Sequence, residues 1–326
     1  MNIYKKHNHG LYTIYSIFGI KIWTIRRNYL KMVQKMITRE LPVLPFTCAW
    51  HFENSGYLMD WENPKRFTEK ILWLYKYYYS RLPLYYRILN KETFKELMIE
   101  KGFSDYIPKL HGTWDKPEDI KWDALPDTFV LKQAIGNHGT EIMLVHDKSK
   151  LDKESALLKM RKWRKSTRGE LDTPANSRII AEEFLSGNDH GGFTDYKLMC
   201  FGGKTRFILA YTRKSDSTKV SEKSLGIYNP DWSKPPFTIK TGQSPKPGDI
   251  ERPKNLEKMV ELADTLATVL ELPLVRVDLY NINGRIYIGE LTMLPAGAKY
   301  IFNPAEYDHI FGDMVILPEK RPLLNG

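Results

Sequence analysis

The stretch that most limits what this 326-residue chain can become is LVRVDLYNINGRIYIGELT, residues 274–292. Val275, Val277 and Leu279 alternate with Arg276, Asp278 and Tyr280, the two-residue period of a strand with one apolar and one charged face. Asn283-Gly284 marks a turn and residues 285–292 resume as a second strand, so the segment predicts a β-hairpin. A three-residue loop sets Asp278 opposite Glu290, whereas other loop lengths leave the two offset or on opposite faces. The register stays open at this level. Two carboxylates at close range repel unless a cation separates them, and hard oxygen donors on a rigid sheet suit Mg²⁺ that completes its shell with water and phosphates. Asp278 and Glu290 are therefore candidate metal ligands. The competing reading is a surface hairpin whose Arg276 pairs with both acids.

Charge tests the next class of function. The formal net charge of +10 suggests a nucleic-acid partner until it is divided along the chain. Residues 1–40 hold eight Lys or Arg and one acid, leaving 41 basic against 38 acidic residues in the rest. The body is nearly balanced, so no nucleic-acid partner is expected, and the basic feature is an N-terminal arm. Within the arm, residues 10–25 are apolar and aromatic and are followed by Arg26-Arg27, too short to span a bilayer, which takes ~17–25 residues. Two readings follow: peripheral contact of residues 1–40 with an anionic membrane surface, or a strand or hairpin around Phe18-Gly19 packed on the body. Two cysteines without metal or disulfide spacing, and no cleavable leader pattern, suit a cytoplasmic protein, placed at the inner face of the membrane if the arm binds there.

Along the body, Asn63-Pro64 predicts an N-cap followed by proline at the first helical position, opening an amphipathic helix over residues 64–79 with Phe67, Ile71, Leu74, Tyr75 and Tyr78 as a core stripe. A second helix covers residues 91–101. From Thr128 the pattern becomes strand (129–132), Gly-bearing loop (Gly136, Asn137, His138, Gly139, Thr140) and strand (141–146). The loop lacks the Gly-Lys-Ser/Thr of a Walker-type P-loop, but its backbone N–H groups can close over phosphates, with Lys132 on the strand beneath. Residues 149–168 predict a solvated helix. Residues 178–185, RIIAEEFL, predict a strand in which one of the two adjacent acids points inward, and Asp195 and Lys197 share a face of the strand over 195–201. Residues 212–253 read as a long loop or insertion, and 255–270 as a helix feeding the hairpin.

In this order, Lys91, Lys132, the loop 136–140, the acidic strand, Asp195/Lys197, Arg276, Asp278 and Glu290 resemble the ATP-grasp superfamily. NPKRFTEKILWLYK, IPKLHGTWDKPEDI, LPDTFVLK, DYKLMCFGG, RVDLY and YIGELT are similar to its TupA-like branch, associated with teichuronopeptide and other cell-surface polysaccharide biosynthesis. The resemblance implies an α+β fold, with two α+β lobes holding the nucleotide between antiparallel sheets and the short basic arm outside. The expected division is residues 1–45 as arm, 46–125 as a helical substrate lobe, 126–186 as the small lobe and 187–326 as the large lobe with the metal hairpin.

The implied activity is an ATP-dependent carboxylate–amine ligase that forms an amide through an acyl phosphate, with ATP and Mg²⁺ as cofactors. The implied substrates are a small-molecule or lipid-linked acidic sugar and an amine or amino acid. Lys132 and Lys91 would meet the α- and β-phosphates and the loop 136–140 would cover them. Glu182, with the backbone at Glu183 and Leu185, would meet the adenine and ribose side, and Lys197 would reach into the nucleotide pocket. Asp278 and Glu290 would hold Mg²⁺, and Arg276 would be the catalytic cation. Thr292 stands where the superfamily often has Asn, and Glu141 follows Thr140 where a further glycine is common, so Glu141 is expected to point outward. The alternatives are a glycosyltransferase of the same pathways, although the chain has no Asp-x-Asp, and a degenerate member without catalysis.

Overall fold

The computed structural model describes residues 4–9, 12–17, 20–25, 43–135, 141–163, 177–185, 193–213, 223–241 and 245–322. Three short strands come first, β1 (Tyr4–His9), β2 (Tyr12–Ile17) and β3 (Ile20–Ile25), successive antiparallel partners in a sheet of their own. The apolar half of the arm thus has the extended backbone of the second reading, as a three-stranded meander.

Four helices follow, α1 (Val43–Ser55), α2 (Phe67–Tyr77), α3 (Pro83–Leu89) and α4 (Lys91–Glu100). The aromatic stripe of α2 is core. Phe67 is fully buried, and the rings of Phe201, Phe207, Tyr300, Phe302 and Phe311 surround it at 5.2–6.3 Å between centroids. The helix begins three residues later than proline placement suggests. Glu69 accepts hydrogen bonds from the backbone N–H groups of Asp60, Lys65 and Arg66, and Asp60 Oδ1 accepts those of Glu62 and Asn63, so residues 60–66 fold around two carboxylates instead of entering the helix. Helix α4 starts on the side-chain cap of Asn90, which accepts from Glu92 N, and the chain leaves it through Gly102 at φ +82°.

A four-stranded antiparallel sheet in the order β4-β7-β5-β6 comes next, made of β4 (Leu110–Trp114), β5 (Phe129–Gln133), β6 (Ile142–Val145) and β7 (Ile179–Glu183). Helix α5 (Lys153–Trp163) buries Ala156, Met160 and Trp163 against Phe129, Leu131, Val145, Ile179 and Ala181, a core separate from the main one. The helix is shorter at its start than the basic run 149–168 suggests, and residues 164–168 lie outside the described ones.

The main sheet has six strands: β8 (Phe193–Phe201), β9 (Lys204–Arg213), β10 (Lys223–Tyr228), β12 (Lys246–Pro247), β13 (Leu274–Ile282) and β14 (Arg285–Thr292), ordered β12-β10-β9-β8-β13-β14. Residues 212–253 are therefore not simply a loop. They contain β10 and β12 as well as β11 (Thr238–Thr241), which pairs with β15 (Tyr300–Asn303). These strands are short and lie toward the sheet edge, so scattered Lys, Pro and Ser conceal their alternation. Helix α6 (Leu256–Val269) lays Leu256, Met259, Ala263, Leu266 and Ala267 into the core beneath the sheet.

Two remote contacts lock the helices to this sheet. The buried Tyr79 hydroxyl donates to Leu274 O (2.5 Å) and accepts from Leu274 N (2.9 Å), which fixes the start of β13. Asp308, on α7 (Tyr307–Met314), accepts from both Thr68 N and Thr68 Oγ1 and so caps α2 from 240 residues away. A third contact supports strained backbone. Ala296, Gly297 and Ala298 all have φ between +51° and +60°, a region that costs ~1–2 kcal/mol for a residue with a Cβ. Thr47 Oγ1 donates to Gly297 O (3.1 Å), and His51 Nε2 donates to Ala298 O (2.7 Å), one helical turn apart on α1. His51 Nδ1 then accepts from Tyr57 OH (2.9 Å), which also meets Thr68 Oγ1 at 2.6 Å.

A Cβ at Gly312 would lie 2.0 Å from Lys65 O and 2.9 Å from Phe67 N, so Gly312→Ala must separate α7 from the start of α2. It is expected to cost about 3 kcal/mol in urea denaturation, the upper range for overpacking. The exposed neighbour Ile310, changed to Ala, is expected to cost less than about 1 kcal/mol.

Burial holds the His51 imidazole at about 4, below its ordinary 6.5. The unfolded chain therefore takes up a proton that the native state refuses, and stability falls as pH drops through that interval. Between pH 7.5 and 5 this group is expected to remove about 2 kcal/mol of unfolding free energy, an increment missing from His51→Asn when the two are titrated side by side.

Candidate functional site

The hairpin turn is a two-residue one. Asn283 and Gly284 both have positive φ (50° and 80°), and Ile282 faces Arg285. Continued regularly, this pairing would set Asp278 against Gly289 and turn Glu290 to the other face. A bulge at Gly289 intervenes, so Asp278 pairs with Glu290, Val277 with Leu291 and Arg276 with Thr292. The three-residue loop that would bring the acids together is thus replaced by a shorter turn plus one extra residue in β14. Glycine is needed at the bulge, because a Cβ there would sit 2.7 Å from the Tyr280 ring.

Only one of the two acids is buried. Asp278 is 2% exposed. Arg276 reaches it with two nitrogens, Nε to Oδ1 at 2.6 Å and Nη2 to Oδ2 at 2.7 Å. Lys197, its cross-strand partner on β8, donates to Oδ2 at 2.5 Å and to Asp195 Oδ2 at 2.6 Å. The same Arg276 Nη2 donates to Glu290 Oε1 (2.9 Å) and Thr292 Oγ1 (3.0 Å), and Thr292 Oγ1 donates to Glu290 Oε1 (2.7 Å). Arg276 therefore pairs with both acids, as in the competing reading, and the two stand opposite each other with Asp278 buried and Glu290 exposed. Burial works against ionisation of Asp278, but Arg276 and Lys197 outweigh it and hold the carboxyl below the usual range. Asp195 moves the other way, pushed up by burial and by the Asp278 charge.

The carboxylate oxygens are of the kind that a hard divalent cation takes. The point where oxygens of Asp278 and Glu290 converge is filled by Arg276 Nη2, within 2.9 Å of both, so a cation held by both acids would have to displace that nitrogen. Glu290 is 61% exposed while accepting from Arg276 and Thr292, and buried Asp195 Oδ1 has no hydrogen-bond partner among the described residues. No group of three or more acidic, His or Cys ligands that could hold a metal ion occurs among the described residues.

A second charged cluster belongs to the four-stranded sheet. Glu182 is the inward acid of β7, and it accepts from Lys132 on β5 through Oε1 and from Lys95 on α4 through Oε2 at 3.2 Å. Its neighbour Glu183 is half-buried; its N–H donates to Lys109 O (2.8 Å) and its Oε2 accepts from Lys109 N (3.1 Å). Leu185, just past the strand, is half-buried.

Lys91 joins the two clusters. Its N–H donates to Ala134 O at the end of β5 (2.8 Å). Burial depresses its ammonium, Lys132 adds to that, and Glu290, Glu182 and Glu141 oppose it, so acids of both sheets act on one side chain. Glu141 does not point outward as expected. Its Oε2 is buried and has no hydrogen-bond partner among the described residues. The loop residues Gly136, Asn137, His138, Gly139 and Thr140 lie outside the described residues.

The structure thus brings Lys132, Glu182 and Glu290 near Lys91, and Lys197, Arg276, Asp278 and Glu290 about one hairpin. Sequence reasoning missed Lys95, whose only signal is its position one helical turn after Lys91, and the orphan oxygen of Asp195.

Mixed α+β content with a four-stranded and a six-stranded sheet built mainly of antiparallel pairs is that of an ATP-grasp fold. The family model described as TupA-like ATPgrasp matches residues 69–316, and the chain belongs to that family. No curated protein matches the chain at a significant level. Among solved structures, the chain is similar to the D-alanine–D-alanine ligase from Bacillus anthracis complexed with ATP (TM-score 0.44, 20% identity, 70% of this chain and 64% of that one). It is also similar to the ADP complex of N5-carboxyaminoimidazole ribonucleotide synthetase (0.41, 17%, 64% and 46%) and to the L-amino acid ligase from Bacillus licheniformis (0.38, 14%, 68% and 43%). The chain spans about half to two thirds of the length of such structures.

Removing the buried acid leaves Arg276 and Lys197 undercompensated, so Asp278→Asn is expected to cost about 3 kcal/mol in urea denaturation without any ligand. The largely exposed Glu290, changed to Gln, is expected to cost less than about 1 kcal/mol. Equal effects would contradict the burial assigned to the pair.

Proposed function

We propose that the protein is an ATP-dependent carboxylate–amine ligase that attaches an amine or amino acid to an acidic sugar during cell-surface polysaccharide or capsule biosynthesis. The observation that carries the reading is the placement of Lys132 and Lys95 on the buried carboxylate of Glu182 in one sheet and of Arg276 and Lys197 on Asp278 in the other. A gap lined by two lysines and closed by a carboxylate pair suits a polyphosphate that brings its own divalent cation. Family membership supports a ligase at the level of the superfamily.

In this reading an oxygen of the substrate carboxylate attacks the γ-phosphorus, the bond to the β-phosphate oxygen breaks, and ADP leaves. The amine then attacks the acyl carbon, phosphate leaves with the bonding pair, and the amine proton passes to solvent. Phosphoryl transfer needs mainly positioning and charge neutralisation. Lys91 and Lys132 meet the phosphates, and the loop 136–140 covers them. Glu182 and the backbone at Glu183 and Leu185 receive the adenosine, and Lys197 borders the pocket while holding Asp278 ionised. Arg276 stabilises negative charge developing on the phosphoryl group or the tetrahedral carbon. Mg²⁺, held by Asp278 and Glu290, supplies charge neutralisation at the phosphate oxygens. Residues 126–186 and 187–326 act as the two nucleotide-holding lobes, with 46–125 on the substrate side.

The acceptor is a free or lipid-linked acidic sugar, and residues 1–40 provide peripheral contact with the anionic cytoplasmic leaflet, weakened by salt because exposed charges are screened beyond ~8 Å. Among the described residues no helix is long and apolar enough to cross a membrane.

The test is ADP release in Mg²⁺–ATP with amino acids screened against uronic-acid acceptors. Release is expected only when both substrates are present, and Glu290→Gln is expected to abolish it while its unfolding curve stays close to wild type. A protein that neither binds ATP in calorimetry nor releases ADP overturns the reading.

A further inference from the structure

One charged side chain near the gap has no part in the scheme above. Lys95 is 6% exposed, on the α4 face turned toward β7. It donates to Pro108 O at 2.7 Å and meets Glu182 Oε2 at 3.2 Å, while Lys132 holds the other oxygen. The two lysines are not equivalent. The Lys95 side chain is 7% exposed and tethered to two acceptors, whereas that of Lys132 is 24% exposed and close enough to Lys91 for their charges to repel. Two ammonium groups on one carboxylate leave one positive charge in excess, and an incoming phosphate satisfies the cation that can move. The carboxylate left behind, itself buried, cannot stay ionised without a partner.

We propose that Lys95 is a positioning residue, the standing counter-charge of Glu182 that lets Lys132 exchange that carboxylate for the nucleotide phosphates. This rests on the ATP-binding reading given above. Glu182 then remains ionised through the exchange, and ATP binds without taking up a proton at this cluster. Among the described residues, the remaining titratable groups around it are Glu183 on β7, His111 on β4, and Lys91 and Glu141 on the Lys132 side.

Isothermal titration of Mg²⁺–ATP into the full-length protein, in two buffers of different ionisation enthalpy, reads the protons exchanged. Wild type is expected to show near-zero uptake at pH 8 and a Kd that changes less than about threefold between pH 7.5 and 9. In Lys95→Met, departure of Lys132 forces Glu182 to take a proton. Uptake approaches one proton per ATP, and Kd rises by up to about tenfold per pH unit, the limit for a single coupled proton. Lys95→Arg, which keeps the charge, retains the wild-type proton count, and Lys95→Met/Glu182→Gln loses the uptake because no charge remains to be compensated. A Lys95→Met protein with the wild-type proton count and pH profile overturns the proposal while leaving ATP binding intact; absence of ATP binding in wild type overturns both. If Lys95→Met alone does not fold, a cooperative transition regained in the double variant supports the counter-charge role, and its absence overturns it.

Discussion

Asp278 stays ionised inside a sheet because Arg276 reaches it along its own strand and Lys197 reaches it from the next. Moving a carboxylate out of water costs several kcal/mol, and that cost is offset only where geometry lets full charges meet at hydrogen-bond distance. The requirement couples β8, β13 and β14. A slip of one residue in either pairing would carry Lys197 or Glu290 to the opposite face and leave the buried charge stranded. The cluster is also unbalanced. Asp195, Asp278 and Glu290 set three acids against two cations, which draws further positive charge toward the exposed end of the hairpin, where Glu290 stands.

The smaller sheet gathers charge of both signs: Lys95 and Lys132 share the buried carboxylate of Glu182, and Glu141, with one buried oxygen, lies near Lys91.

How much of this could be read from residues depends on how local the cause is. Alternation in Val275, Val277 and Leu279 announces β13, and the apolar run before Glu182 announces β7, because side-chain period is a property of the strand itself. The register of Asp278 against Glu290 was not legible, since it rests on a bulge at Gly289 that only the packing of Tyr280 explains. The late start of α2 depends on Glu69 folding residues 60–66 around its carboxylate, and its cap comes from Asp308 far along the chain. Strands β10 and β12 were hidden by the polar composition of an edge. Lys95 looked like one more helix lysine, because nothing in KETFKEL reveals which one faces a buried acid.

The contact between α1 and the left-handed run 296–298 bears on how such a protein can be rearranged. Thr47 and His51 precede the family-matching region, yet they hold the carbonyls of Gly297 and Ala298 in the segment that follows β14. The region shared with relatives is therefore not a self-contained module. Exchanging the leading segment between paralogues, by recombination or by design, would change the support of a loop at the far end of the chain. Changes in the first sixty residues are thus felt physically at that loop, and changes in the loop at α1.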